Sequence, residues 1–207
     1  LNLAELKNEF KDKKKINLVF DACHFKREFC LFLFRSSKRN VHYDFKDSEK
    51  IIYYEQALKE ISQKHEFSSF TIDGRRGVIQ LLESLFPSVP IQLCQFHQVK
   101  TILKYTTKRP KTECGRELKD FTEKYKDFLK EKNEAGQYSH RRLRSVFGSI
   151  KTNLPYLFTF QDFPNIQIEK TTNSCDGYFS HLKAKVNVHR GISSRRKIQL
   201  IIKLLSQ

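Results

Sequence analysis

The apolar positions of this chain fall into short runs and helical stripes that predict its elements one after another. Residues 16–21, Ile-Asn-Leu-Val-Phe-Asp, form a brief β-rich run closed by an acid, which predicts a buried strand ending at Asp21. Residues 29–34, dense in Phe and Leu, predict a second strand, and residues 41–45 alternate apolar and polar positions as a third. Their short connections suggest an antiparallel meander. Residues 49–64 then carry Ile51, Ile52, Tyr54, Leu58 and Ile61 near helical spacing, and residues 67–72 return as a strand that stops at Asp73-Gly74. Residues 77–86 read as a helix, Pro87 and Pro90 bracket a turn, residues 91–93 make a fifth short strand, and residues 96–105 a further helix. A basic helical lead over residues 1–15 precedes all of this.

A strand meander followed by alternating helices and strands is the opening order of the ribonuclease H fold. The predicted class is therefore α/β: a ribonuclease-H-like mixed sheet flanked by helices. Residues 111–158 turn strongly charged and helical, with helices predicted over 117–130 and 139–151 and no strand signal, so they read as an α-helical insertion. Helices over 171–186 and 193–206 close the chain, the last with Ile198, Ile201, Ile202, Leu204 and Leu205 on its apolar side. The division expected is residues 1–110 for the first part of the main domain, 111–158 for the insertion and 159–207 for the closing helices.

Charge changes the picture from a fold to a partner. The chain has 207 residues, with 39 Lys and Arg against 23 Asp and Glu, a formal net charge of +16. Such a surface favours polyanions, above all nucleic acid. The excess is spread over residues 11–15, 75–76, 108–111, 141–144 and 190–196, which suits a folded groove better than a basic tail. Each cluster alone also fits a solvated helix face. Five cysteines, at 23, 30, 94, 114 and 175, include no C-x-x-C pair and do not make a disulfide framework, which points to a reducing compartment. No apolar run approaches the roughly 20 residues of a membrane span, so no membrane role is expected. The chain begins at Leu1 and holds no methionine, so further sequence is expected upstream.

Two acids close strands that the ribonuclease H topology makes neighbours: Asp21 and Asp73. Two hard carboxylate ligands at one sheet edge suit Mg²⁺ or Mn²⁺. The ordinary alternatives are a strand-closing Asp and the Asp-Gly of a turn. Residues 168–183, Ile-Glu-Lys-Thr-Thr-Asn-Ser-Cys-Asp-Gly-Tyr-Phe-Ser-His-Leu-Lys, are the most specific stretch. Within it Asn173 reads as an N-cap, which would make Asp176 a first-turn acid that complements the helix dipole. Cys94 and His97 are spaced to share a face of a helix start, yet zinc would need two further ligands and no second pair follows.

The string T-T-N-S-x-D-G-x-F-S-x-L-K, with the later H-R-G, resembles the end of the catalytic domain of bacterial insertion-sequence transposases related to the eukaryotic Mutator-like elements. Asp21-Ala22-x-x-Phe25 resembles the first-acid motif of that family, Thr71-Ile72-Asp73-Gly74 the second, and Cys94-Gln95-Phe96-His97 the C-x-x-H motif after the next strand. The resemblance implies a DDE-type DNA transposase core that cleaves DNA strands and transfers them. It implies a catalytic and metal-binding triad of Asp21, Asp73 and Asp176, two Mg²⁺ or Mn²⁺ ions, and Cys94, His97 and Asn173 as active-site support. Arg75, Arg76, Lys183, Lys185, Arg190, Arg195 and Arg196 would flank the metal site and meet DNA phosphates. The implied partners are transposon ends and target DNA, with a homo-oligomer assembled on them, in a bacterial cytoplasm at the nucleoid. Position 176 departs from the resemblance, since the family's third acid is usually Glu and Asp is one methylene shorter. Glu169 is the second candidate for that ligand. The alternative function is a catalytically degenerate or domesticated transposase fold that binds DNA without cutting it.

Overall fold

The computed structural model describes residues 13–37, 39–105, 132–189 and 191–206. The helix expected over 117–130, Cys114, most of the basic lead and Arg190 lie outside the described residues. Strands β1 (Lys14–Phe25), β2 (Phe29–Ser36) and β3 (Arg39–Lys46) lead into helix α1 (Ile51–Lys64), β4 (His65–Ile72), α2 (Arg76–Leu85), β5 (Ile91–Leu93) and α3 (Gln95–Tyr105). After the undescribed stretch come α4 (Arg141–Leu157), the single-turn α5 (Thr159–Asp162), α6 (Asn173–Val188) and α7 (Ser194–Leu205).

One sheet of order β3-β2-β1-β4-β5 results, with β1, β2 and β3 antiparallel and β4 and β5 parallel to β1. This is the mixed α/β sheet of a ribonuclease-H-like domain. Side-chain parity divides the core in two. Ile16, Leu18 and Phe20 of β1 with Cys30, Phe32 and Phe34 of β2 face α1 and α2, where Tyr54, Leu58, Ile61, Val78 and Leu82 meet them. Val19, Cys23 and Phe25 with Phe29, Leu31 and Leu33 face α6 and α7, against Cys175, Phe179, Leu182, Val186, Ile201 and Leu205. The central strands read as near-continuous apolar runs because helices cover them on both sides.

Three differences from the sequence reading have physical causes. Lys14 and Lys15 belong to β1 and not to a helix, because they pair in parallel with His65 and Glu66, and Lys15 lies 3.5 Å from the Glu66 carboxylate. β1 does not end at Asp21 but runs to Phe25, since β2 goes on pairing with it as far as Phe25↔Phe29. α4 passes through Pro155 to Leu157. A proline this near a helix end removes one backbone bond and leaves only a few residues to continue past it. Among the described residues no helix is long and apolar enough to cross a membrane. The four described cysteines are free and buried.

Gly74 makes the exit from β4 possible. Its φ of +94° is a conformation L side chains rarely adopt, and an added Cβ would stand 3.4 Å from Leu93 Cδ1. Gly74→Ala is expected to cost about 1–3 kcal/mol. A thermal melt within 1 °C of the parent would contradict this.

Candidate metal centre

The sheet opens a mouth where two strands part. β1 and β4 pair in register up to Val19↔Thr71, and two positions further along each strand stand Asp21 and Asp73. There β4 stops and the chain turns away through Gly74, while β1 continues against β2 alone. Asp21 shares the side-chain parity of Val19 and Cys23, so it faces α6.

α6 lies on that face through Cys175, Phe179, Leu182 and Val186, a helical stripe. Asp176 follows Cys175 and stands in the first turn, at the flank nearest Asp21. The segment leading into the helix is fastened across the sheet. Asn17 Nδ2 donates to the Gln167 carbonyl at 2.9 Å, Thr71 Oγ1 to the Glu169 carbonyl at 2.8 Å, and the Gln95 N–H to the Lys170 carbonyl at 3.0 Å. β5 delivers the third element, with buried Cys94 just after the strand and His97 in the first helical turn of α3.

Ligand atoms of Asp21, His97 and Asp176 all lie within 4.8 Å of one another, although the residues come from three remote parts of the sequence. Asp73 is outside this tightest group and more exposed, but it is the nearby charge that acts most strongly on Asp21. Burial, then Asp73 and Asp176, push the Asp21 carboxyl up to about 8, against the pull of the Ala22 N–H and His97. Loss of water also raises Asp73, with Glu49 adding to it, while the Arg75 N–H and His97 oppose. Carboxylates crowded in this way repel one another and are relieved by a shared cation. Two carboxylates and an imidazole suit Mn²⁺ well and Mg²⁺ acceptably, so the donor set fits the implied ions.

Thr172 ties the site together. Thr172 is wholly buried: its backbone N–H donates to Cys94 Sγ at 3.3 Å, its hydroxyl donates to Asp176 Oδ2 at 3.1 Å, and the Thr172 Oγ1 of that hydroxyl is 3.3 Å from His97 Nδ1. Burial raises the Cys94 thiol, but hydrogen bonds from His97 and Thr172 outweigh this and bring it down to about 7. The bond to Cys94 raises His97, and the charges of Cys94, Asp176 and Asp21 add to the shift.

The other expected residues divide. Thr172, not Asn173, holds the N-cap position of α6, and exposed Asn173 has its backbone N–H 3.5 Å from Thr171 Oγ1. Glu169 sits apart from the Asp21 group, beside Ser174 and Arg35, with its carboxyl raised mainly by burial. Arg75 is committed to Glu49, pairing with its carboxylate and donating to its carbonyl at 2.9 Å. Arg76, Lys183, Lys185, Arg195 and Arg196 are exposed. Of these, Lys183 has its ammonium 5.9 Å from the Phe25 ring centroid and in reach of the Cys23 thiol. Sequence reasoning missed Thr172 and Glu49. The Thr-Thr before Asn173 was visible, but nothing local marks which hydroxyl turns inward.

A ribonuclease-H-like sheet with acids gathered at the mouth between its central strands defines the class of this domain. Within that class the chain belongs to the Mutator family of transposases. The family model described as "Transposase, Mutator family" matches residues 24–205, a span that takes in Asp73, Cys94, His97 and Asp176 and begins just after Asp21. No curated protein matches the chain. Among solved structures, the Mos1 transposase catalytic domain, determined with raltegravir and Mn, is similar at 12% identity, covering 72% of this chain and 85% of that one, with a TM-score of 0.30.

A cation bound here would expel the proton that Asp21 holds below about pH 8, and any proton on His97, whose basicity the bond to Cys94 raises. Mn²⁺ affinity is therefore expected to climb with pH and level off above about 8. Calorimetry at pH 7 in buffers of different ionisation enthalpy should register about one proton or more released per site. No proton release there would contradict the assignment.

Proposed function

We propose that this domain is the catalytic core of a DDE-type DNA transposase, cutting DNA strands and joining them to a target by metal-dependent phosphoryl transfer. The observation that carries this reading is the convergence of Asp21, His97 and Asp176 to within 4.8 Å from β1, α3 and α6. Asp21, Asp73 and Asp176 would hold two Mg²⁺ or Mn²⁺ ions. When bound, such ions would supply an activated water or 3′-hydroxyl and stabilise the leaving oxygen.

The protein's own residues would do the rest. Asp21 and Asp73 fix charge at the rigid sheet edge, and Thr172 holds Asp176 in its rotamer by donating to Oδ2. Cys94 and His97 brace the approach to the acids from α3. Exposed Arg76, Lys183, Lys185, Arg195 and Arg196, with Arg190, would neutralise phosphates of transposon ends and target, the sequence-independent part of affinity. Arg75 is a weaker candidate for that role, since Glu49 already holds it. Residues 111–158 would form the helical insertion, of which α4 is the described part. A homo-oligomer joining two DNA ends, working at the nucleoid, completes the reading.

The test is strand transfer from a pre-cut DNA end bearing a free 3′-hydroxyl. The parent should join it to target in Mg²⁺ or Mn²⁺, and Asp73→Asn should fall by about 100-fold or more. Undiminished joining by Asp73→Asn would refute the triad. Two observations favour a second reading, a degenerate fold that binds DNA without cutting: Asp73 stands outside the tightest ligand group, and position 176 carries the shorter acid. A protein of that kind would bind DNA in a Mn²⁺-independent way and hold no Mn²⁺ at the acids.

A further inference from the structure

Arg35 is a charged side chain sunk in the sheet, only 8% exposed. It lies opposite Val19 on β2, two residues from Leu33, the partner of Asp21. Its parity is that of Leu31 and Leu33, so it faces α6. Burying a guanidinium is unfavourable unless its donors and charge are met. Three of its contacts fall on the segment that carries Asp176. Nη1 donates to the Ser174 carbonyl at 2.6 Å, the guanidinium lies 4.5 Å from the centroid of the Tyr178 ring, and its charge acts on Glu169.

A cation at this end of a helix opposes the macrodipole, so helix stability is no reason for its presence. Geometry supplies one. At 100° per residue, Ser174 and Tyr178 stand on one flank of α6, the stripe of Cys175, Phe179 and Leu182 faces the sheet, and Asp176 stands on the other flank. Arg35 therefore grips one side of the first turn while Thr172, His97 and Asp21 border the other. A roll of α6 by about 10° would move a side-chain tip, about 5–6 Å from the axis, by about 1 Å. Asp176 is short and has few rotamers with which to absorb such a roll.

We propose that Arg35 is a positioning residue that sets the roll of α6 and so the separation of the Asp176 and Asp21 carboxylates. This rests on the reading that those acids hold the metal. The experiment compares the parent with Arg35→Met, Arg35→Lys and Asp21→Asn, by Mn²⁺ titration and by steady-state cleavage of a transposon-end duplex. Arg35→Met should weaken Mn²⁺ binding about 10-fold or more and lower kcat about 100-fold, with KM for DNA changed less than about 2-fold. Arg35→Lys, which keeps the charge but not the planar contact with Tyr178, should fall between the two. A purely structural role would change the melting temperature and leave Mn²⁺ affinity of the folded fraction at the parental value.

Parental Mn²⁺ affinity in Arg35→Met overturns the inference, as does parental affinity in Arg35→Lys should the Met variant not fold. If the parent binds Mn²⁺ and Asp21→Asn does not, while both Arg35 variants match the parent, the positioning role alone fails. If Asp21→Asn binds as the parent does, or the parent binds none, the metal reading fails and the inference with it.

Discussion

Asp21→Asn is expected to abolish Mg²⁺-dependent strand cleavage, by about 10³-fold or more, and at the same time to raise the melting temperature of the metal-free protein. The two effects have one source. Asp21 is held in a crowded, poorly hydrated place beside Asp73 and Asp176, and its carboxyl is lifted from 3.8 to about 8. The folded state therefore binds that proton more tightly than the unfolded chain does. Its contribution to stability is full below about pH 4 and is progressively lost as pH rises towards 8. An amide of the same shape carries no such penalty, so the gain should be absent below about pH 4 and amount to about 1–3 kcal/mol near pH 8, once water's access to the mouth is allowed for. The same amide is a poor ligand for a hard cation, which is why chemistry is lost as stability is gained. A variant that cuts at the parental rate, or whose added stability does not depend on pH, would contradict the account.

One residue earlier the expectation reverses. Phe20 is 1% exposed and points to the opposite face, where its ring centroid is 5.1 Å from Phe34, 5.8 Å from Tyr54 and 6.3 Å from Phe70. Those rings come from β2, α1 and β4, so the side chain joins three elements at the centre of one core. Truncation to Ala removes apolar contact and leaves a cavity that rigid neighbours cannot fill. The expected loss is about 3–5 kcal/mol, read from urea unfolding with the slope unchanged. A loss below about 1 kcal/mol would mean that the α1 face of the sheet is far looser than the ring contacts imply.

These neighbours also illustrate what could be read from sequence. The short apolar runs of residues 16–21 and 29–34, and the helical stripe Tyr54, Leu58 and Ile61, are properties of single segments, so the elements and their order were legible. The in-register approach of Asp21 and Asp73 followed from the strand order once the ribonuclease H arrangement was assumed. Long-range partners were not legible. That β1 outruns Asp21 depends on β2 still pairing at Phe25↔Phe29, and that Arg75 is held by Glu49 depends on an ion pair across the gap between α1 and α2. Thr172 carries no periodic signal. Its inward setting is defined by Cys94 at its backbone N–H and by His97 and Asp176 at its hydroxyl, two of them more than 70 positions away. His97 was visible in its motif, but its place within 4.8 Å of two acids needed the first turns of α3 and α6 to meet beside Asp21 of β1.

The most direct measurement is anomalous diffraction at the manganese edge from crystals soaked in Mn²⁺. The account predicts a peak at the mouth between β1 and β4, with oxygens of Asp21 and Asp176 about 2.0–2.3 Å from it and Asp73 in reach of the same cation or of a second one. Manganese found only elsewhere on the surface, at millimolar concentrations that saturate ordinary two-metal sites, would contradict it.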